Sequence, residues 1–220
     1  MIELPDFTKP FYYENNFNLS SDINRFAKIM AQYELFKLSI DIPGAIVECG
    51  VFKGSSLIRF ATFRQLLTNP VSKRIVGFDI FGQFPETSFE GDREPRKKFV
   101  ADSGEGISED QLMQVFKHKG IDKNVELIKG DVNETIPQYV KKNPYLRISL
   151  LNIDVDVYEP TKTALEFLYP CVVKGGVVIL DDYCGLFPGA NKAVEDFLRD
   201  KKHQIRKFPF CVSPCYLIKE

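Results

Sequence analysis

No pair among the five cysteines has Cys-x-x-Cys spacing, no apolar run reaches membrane-spanning length, and neither sign of charge is in excess. Each absence removes a class of function. Cys49, Cys171, Cys184, Cys211 and Cys215 are odd in number, and Cys211 and Cys215, four apart in a Phe/Pro-rich segment, do not resemble a zinc site. All five read as reduced thiols, which points to a cytoplasmic protein. The N-terminus, Met-Ile-Glu-Leu-Pro-Asp, has no basic region followed by an apolar one, so neither secretion nor membrane association is expected. A net charge of −1 gives no electrostatic case for nucleic acid. The basic runs Arg96-Lys97-Lys98, Lys141-Lys142 and Lys201-Lys202 are short and read as solvated faces. Only two histidines occur, and both stand beside lysines, as surface residues do: His118 between Lys117 and Lys119, His203 after Lys202. Repeats and low-complexity stretches are missing as well. What remains, 44% hydrophobic and 27% charged over 220 residues, is the composition of an ordinary globular protein with one sizeable domain.

Within that domain, strand and helix patterns alternate. Residues 1–19 are rich in aromatics and asparagine and read as an arm that packs on something. Ser20-Ser21-Asp22 can then cap a helix carrying Phe26, Ile29, Met30, Tyr33, Phe36 and Ile40 at helical spacing. Strands are expected at 45–49, 74–79, 125–128, 148–153 and 177–180, with weaker ones at 204–208 and 216–218. Helices are expected near 55–67, 108–119, 133–140, 161–168 and 191–201, and Ser108-Glu109-Asp110-Gln111 forms a capping box. This alternation implies an α/β fold, a mostly parallel sheet with helices on both faces. The segment 81–107 shows no periodicity and is longer than a usual connection, so it reads as a lid-like insertion.

The strongest signal is acidic. Successive expected strands end at Glu48, Asp79, Asp131 and Asp154, and the fifth ends at Asp181-Asp182. Ligands of open α/β sheets bind at the carboxyl ends of the strands. Neighbouring strands lie roughly 4.8 Å apart, so Asp154, Asp156, Asp181 and Asp182 would converge at one edge of the sheet. Carboxylates that close repel one another, and a hard divalent cation is their natural partner.

The first turn reads Glu48-Cys49-Gly50-Val51-Phe52-Lys53-Gly54-Ser55-Ser56. A dinucleotide site would want glycine where Phe52 stands, and Glu48 would face the phosphates. An NAD-dependent oxidoreductase is therefore the least favoured enzyme. A ligand that carries its own ammonium, such as the amino-acid end of S-adenosylmethionine, fits better. Glu48 would meet the ammonium, while the amides around Gly50 and the hydroxyls of Ser55 and Ser56 would receive the carboxylate. Asp79 could accept both ribose hydroxyls, and Asp131 is placed to reach the adenine.

With these residues in view, the chain resembles the macrocin O-methyltransferase family of class I S-adenosylmethionine-dependent methyltransferases. The resemblance rests on 44–55, on Gly77-Phe78-Asp79-Ile80-Phe81-Gly82-Gln83-Phe84-Pro85-Glu86, on Ile153-Asp154-Val155-Asp156-Val157-Tyr158-Glu159-Pro160-Thr161 and on Gly175 to Tyr183, with Pro188-Gly189-Ala190 and 193–197 extending it. It implies a Rossmann-like, mostly parallel seven-stranded sheet with an antiparallel last strand. S-adenosylmethionine and a divalent metal, usually magnesium, are implied too, with Asp154, Asp181 and Asp182 as ligands and a sugar hydroxyl as the methyl acceptor. Two regions follow: 1–43, an arm and helix that caps the site or makes a homo-oligomer, and 44–220, the methyltransferase domain.

A sugar hydroxyl holds its proton, so a base is required. Catechol-type methyltransferases use a lysine three residues after the first metal acid, where this chain has Val157. The base is then Asp154 or Asp156, with Asp154 preferred because Asp156 can serve the turn. Tyr158 and Tyr183 flank the acidic motifs as substrate-wall candidates, and Arg93 and Arg96 as partners of an acceptor diphosphate. The alternatives are a catechol-like methyltransferase, disfavoured by the missing lysine, and a noncatalytic adenosylmethionine-binding protein, disfavoured by the complete set of metal acids.

Overall fold

A computed structural model of the chain describes residues 2–220. Two helices, α1 (Pro10–Ser20) and α2 (Ile23–Leu38), precede the sheet. Then β1 (Ala45–Cys49), α3 (Ser55–Leu67), β2 (Ile75–Asp79), α4 (Arg93–Ser103), α5 (Glu109–His118), β3 (Val125–Lys129), α6 (Val132–Lys142), β4 (Ile148–Ile153), α7 (Tyr158–Phe167), β5 (Val172–Leu180), α8 (Pro188–Leu198), β6 (Arg206–Lys207) and β7 (Cys215–Ile218) follow.

The sheet has seven strands in the order β3-β2-β1-β4-β5-β7-β6. β1 to β5 pair in parallel, and β7, the last in the chain, runs antiparallel to β5. The expected Rossmann-like topology is therefore present. Every residue of β1, β2 and β4 is buried, the signature of strands covered on both faces. Alternation divides them between two cores. Val47, Cys49, Val178 and Leu180 join one cluster with α6 and α7 residues. Ile46, Val177 and Ile179 join the other, with Phe36 of α2, Phe60 of α3 and Phe116 of α5. Each of those phenylalanines is fully buried and contributes about 1.5–3 kcal/mol by leaving water.

Chain order reverses between β1 and β4, so β2 lies to one side and β4 to the other. A crevice at the carboxyl ends of these strands is the consequence. Among the described residues no helix is long and apolar enough to cross a membrane.

Several elements differ from their sequence expectation. Residues 10–20 form a helix none of whose residues is buried, so no apolar stripe announced it. The arm before it does pack: Ile2 and Leu4 lie against the second core, and Phe7 stacks on His118 at 4.2 Å. The segment 81–107 contains a 3-10 turn, Glu90–Asp92, and α4. α4 reads REPRKKFVADS and has no buried residue, so helical periodicity was undetectable in it. α7 and α8 each begin three residues before the expected start, at Tyr158 and Pro188, and β6 shrinks to two residues.

Candidate active site

A cavity of about 780 Å³ opens at the carboxyl ends of β1, β2, β4 and β5, within the size range of a small-molecule site. The turn after β1 forms one wall. Gly50 has φ +84, and a Cβ there would lie 1.6 Å from the carbonyl oxygen of Asp154, so only glycine lets β1 and β4 approach this closely. Gly54, at φ +81, begins α3 without a side-chain cap. The first-turn amides of α3 are thus free of a capping side chain at the cavity edge, a favourable place for an anion.

Glu48 is not where sequence reasoning put it. It is fully buried beneath the cavity, in register with Asn152 of β4. Its Oε1 accepts from Ser56 Oγ at 2.9 Å and its Oε2 from Asn152 Nδ2 at 3.1 Å. Burial raises its pKa from 4.5 to about 8, against the lowering effect of those two hydrogen bonds. Glu48 does not line the cavity, whereas Gly50, Ser55 and Ser56 do, the hydroxyl of Ser56 being engaged with Glu48 in this arrangement.

Asp79 also lines it, but its carboxylate already serves the backbone. Oδ2 accepts from the amides of Val51 and Phe52, at 2.7 and 3.0 Å, and Oδ1 from that of Phe81 at 2.6 Å. Burial raises its pKa in spite of these donors. An ionised carboxylate has about four acceptor positions, so one remains open here, fewer than two ribose hydroxyls require. Asp131 caps α6, accepting from the amide of Asn133 at 2.8 Å, and is exposed at the cavity rim.

Asp154, Asp181 and Asp182 do converge. Carboxylate oxygens from all three lie within 4.8 Å of one another. Burial, followed by the charge of Asp181, pushes the pKa of Asp154 well above the usual range, and burial with the charges of Asp156 and Asp181 does the same to Asp182. Asp156 sits at φ +63, and its amide donates to Asp182 Oδ2 at 2.8 Å, so it holds the turn together. Its own carboxyl is raised to about 7 by burial and the charge of Asp154. The oxygen-only donor set suits a hard divalent cation. Asp181 Oδ1 fits as well, being buried with no hydrogen-bond partner. One counter-charge is present: Lys28 of α2 places Nζ 2.6 Å from Asp181 Oδ2 and 3.7 Å from Asp154 Oδ2. Burial disfavours the Lys28 ammonium, but the charges of Asp154 and Asp181 outweigh that and hold its pKa above the ordinary lysine value.

The four substrate candidates do not line the cavity. Arg96 donates Nε to Pro85 O and Nη2 to Phe84 O, so it braces its own segment. Arg93 is exposed at the start of α4. Tyr158 stacks on Phe89 at 5.1 Å, and Tyr183 packs on the first core. The segment 81–107 is clasped to the domain instead by fully buried Asp92, whose two oxygens accept from the amides of Tyr158 and Gly189 at 2.9 and 2.7 Å. A Cβ on Gly189 would meet Asp92 Oδ2 at 1.9 Å, so the clasp needs glycine there. Glu159 adds a second hold, accepting from the amides of Ser88 and Phe89.

Sequence reasoning missed the cations and aromatics of the cavity wall. Arg25 and Lys28 come from α2, Arg59 from α3, Phe52 from the first turn, and Phe84 and Phe99 from the inserted segment. The available signal was the spacing of Arg25, Lys28 and Gln32, three polar residues that share one face of α2.

Residues 24–208 match the family described as macrocin-O-methyltransferase. Demethyldecarbamoylnovobiocin O-methyltransferase of Streptomyces niveus is 30% identical over 161 residues, 71% of this chain and 59% of that one. The 8-demethyl-8-(2,3-dimethoxy-alpha-L-rhamnosyl)-tetracenomycin-C 4'-O-methyltransferase of Streptomyces olivaceus is 32% identical over 165 residues, covering 73% and 60%. The chain thus spans about 60% of the length of these relatives. The apo structure of the calicheamicin enzyme CalS11, named a TDP-rhamnose 3'-O-methyltransferase, is 30% identical with a TM-score of 0.70 and covers 96% of this chain and 89% of its own.

Proposed function

Because this chain belongs to the macrocin O-methyltransferase family, we propose that it transfers a methyl group from S-adenosylmethionine to a sugar hydroxyl, with a divalent cation held by Asp154, Asp181 and Asp182. The observation that carries the reading is the carboxylate cluster at the inner end of a cavity whose other wall is the Gly50 turn. Relatives named for a rhamnosyl group carried on tetracenomycin C and for TDP-rhamnose support a deoxysugar acceptor, whether free, nucleotide-linked or on a finished product.

S-adenosylmethionine supplies an electrophilic methyl group. In this proposal its carboxylate meets the uncapped start of α3, and Asp79 uses its open position on Oδ1 for one ribose hydroxyl. Asp131 at the rim faces the adenine. The side chains of Phe52, Phe84 and Phe99 exclude water from the cavity, which strengthens electrostatic interactions inside it. A divalent cation at the cluster lowers the pKa of an acceptor hydroxyl. Asp154 accepts the hydroxyl proton in this reading, because its carboxylate belongs to the cluster at which the acceptor would be held, whereas Asp156 is not part of that cluster. Holding donor and acceptor together in one site contributes much of the rate in such displacements. The exposed apolar side chains of α1 and the start of α2, among them Phe11, Leu19 and Ile23 at 72%, 86% and 77% exposure, face a second copy of the chain in the same reading.

The test is methyl transfer to a panel of deoxysugars that are free, nucleotide-linked or attached to a finished product, read as S-adenosylhomocysteine formed. Turnover with at least one sugar is expected, lost in Asp154→Asn and partly retained in Asp156→Asn. Calorimetric titration should detect S-adenosylhomocysteine binding and none of NAD. Full turnover after exhaustive chelation would remove the metal from the mechanism, and loss of turnover in folded Asp156→Asn with retention in Asp154→Asn would exchange the two roles.

A further inference from the structure

We infer that Lys28 is the built-in counter-cation of the Asp154–Asp181–Asp182 cluster, and that its ammonium and a divalent cation occupy the cluster in alternation, so that metal loading releases the N-terminal half of α2 from the cavity. This rests on the metal-binding reading above and adds the element that responds to it.

Three carboxylates with oxygens inside 4.8 Å repel strongly unless a positive charge lies among them. The Lys28 ammonium lies there, 2.6 Å from Asp181 Oδ2 and 3.7 Å from Asp154 Oδ2. Those are two of the three residues that would hold a metal. Oxygen ligands sit about 2.0–2.6 Å from magnesium or calcium, so a cation bound to the same two residues would stand against the ammonium. Two cations that close, in a half-buried site, repel one another.

The build of α2 suits an exchange. Its C-terminal half is anchored by Ala31, Gln32, Leu35 and Phe36, all fully buried. In its N-terminal half none of the residues is buried, Ile23 is 77% exposed, and Asp22 caps the end through the amide of Asn24. The turn that bears Lys28 is only half-buried, held by its ion pairs and by Phe26 against Phe17 at 4.9 Å, while the rest of the helix is held by the core. Arg25, Lys28 and Gln32 share one face, and Arg59 of α3 donates to Gln32 Oε1 at 3.0 Å. That face forms the cavity wall on the α2 side, so the position of Lys28 sets the shape of the acceptor space. Docking of Lys28 and binding of metal are then linked reciprocally and with opposite sign.

The experiment uses the full chain stripped of metal and titrated with Mn2+, free Mn2+ being read by its paramagnetic resonance signal. Wild type, Lys28→Met, Lys28→Arg and Asp181→Asn are compared, with S-adenosylhomocysteine binding as the check on folding. Lys28→Met should bind Mn2+ on the order of tenfold more tightly than wild type, a typical coupling between linked sites. Lys28→Arg should not gain affinity, and Asp181→Asn should lose it. A second readout needs no variant: acetylation of Lys28, followed by peptide mass, should be slow in chelator and accelerate when Mn2+ is added. Equal or weaker Mn2+ binding by folded Lys28→Met, or an acetylation rate indifferent to Mn2+, overturns the exchange while the metal site stands. Failure of wild type and Lys28→Met alike to bind Mn2+ overturns the exchange and the metal site together.

Discussion

At the scale of single residues, Glu48 shows how a shared strand register converts an acid into a structural group. It stands opposite Asn152, and both its oxygens are used inside the protein. Its proton is lost near 4.5 in the unfolded chain and near 8 in the folded one. Between those values the folded form binds the extra proton, so this contribution to stability is complete below about 4.5 and declines as pH rises towards 8. Glu48→Gln keeps the shape and removes the titration. The stability of Glu48→Gln relative to wild type should therefore improve steadily from pH 5 to pH 8, as measured by urea unfolding at several pH values. A constant difference across that range would mean that Glu48 is ionised in the native protein. Gly50 makes a complementary point: its requirement comes from the carbonyl of Asp154, just past the end of β4 and more than a hundred residues further along the chain.

At the scale of elements, the inserted segment 81–107 is held by the carboxylates of Asp92 and Glu159 together with apolar packing of Phe84 and Phe99 on Val157, Phe187 and Ala190. Asp92→Ala leaves the amides of Tyr158 and Gly189 without their acceptor, and each buried donor so stranded costs about 1–3 kcal/mol. A total loss of about 2–4 kcal/mol is expected in urea unfolding, together with a raised acceptor KM, because Phe84 and Phe99 of this segment form part of the cavity wall. S-adenosylhomocysteine affinity should change little; a collapse of that affinity would place the segment in the cofactor site. Lys97 and Lys98 are exposed and off the cavity. Reversing both to Glu should shift stability by no more than about 0.5 kcal/mol and leave acceptor KM unaltered. Arg96 belongs to a different class, since its guanidinium braces Phe84 and Pro85.

At the scale of the whole molecule, an 11-residue helix such as α1, with no residue buried in its own chain, is marginal in water by itself. Its exposed apolar side chains are the surface on which the proposed second copy would sit. Sedimentation of wild type should show a dimer that Leu19→Lys combined with Ile23→Lys converts to monomer. A wild type that stays monomeric across the accessible concentration range would leave α1 without a role in assembly.

Much of this molecule was determined locally. The apolar runs of β1, β2 and β4 had to be buried on both sides, the helices between them had to cross over, and the order of their acidic ends followed from the order of the strands. The convergence of Asp154, Asp181 and Asp182 was legible for that reason: adjacent parallel strands bring their ends together whatever else the chain does. The helix α4 was not legible, because a helix with no fully buried residue and only Phe99 and Val100 as large apolar side chains leaves too little period in the sequence. The roles of Tyr158, Arg96 and Glu48 were decided only by tertiary structure, because residue type and spacing do not say which side of a turn faces the ligand. Lys28 was the furthest out of reach. Its partner Asp181 is separated from it by 153 positions, and only the packing of α2 against α3 and β5 delivers its charge to the carboxylates. Sequence determines which groups are carried on each element, whereas long-range packing decides which opposite charges meet.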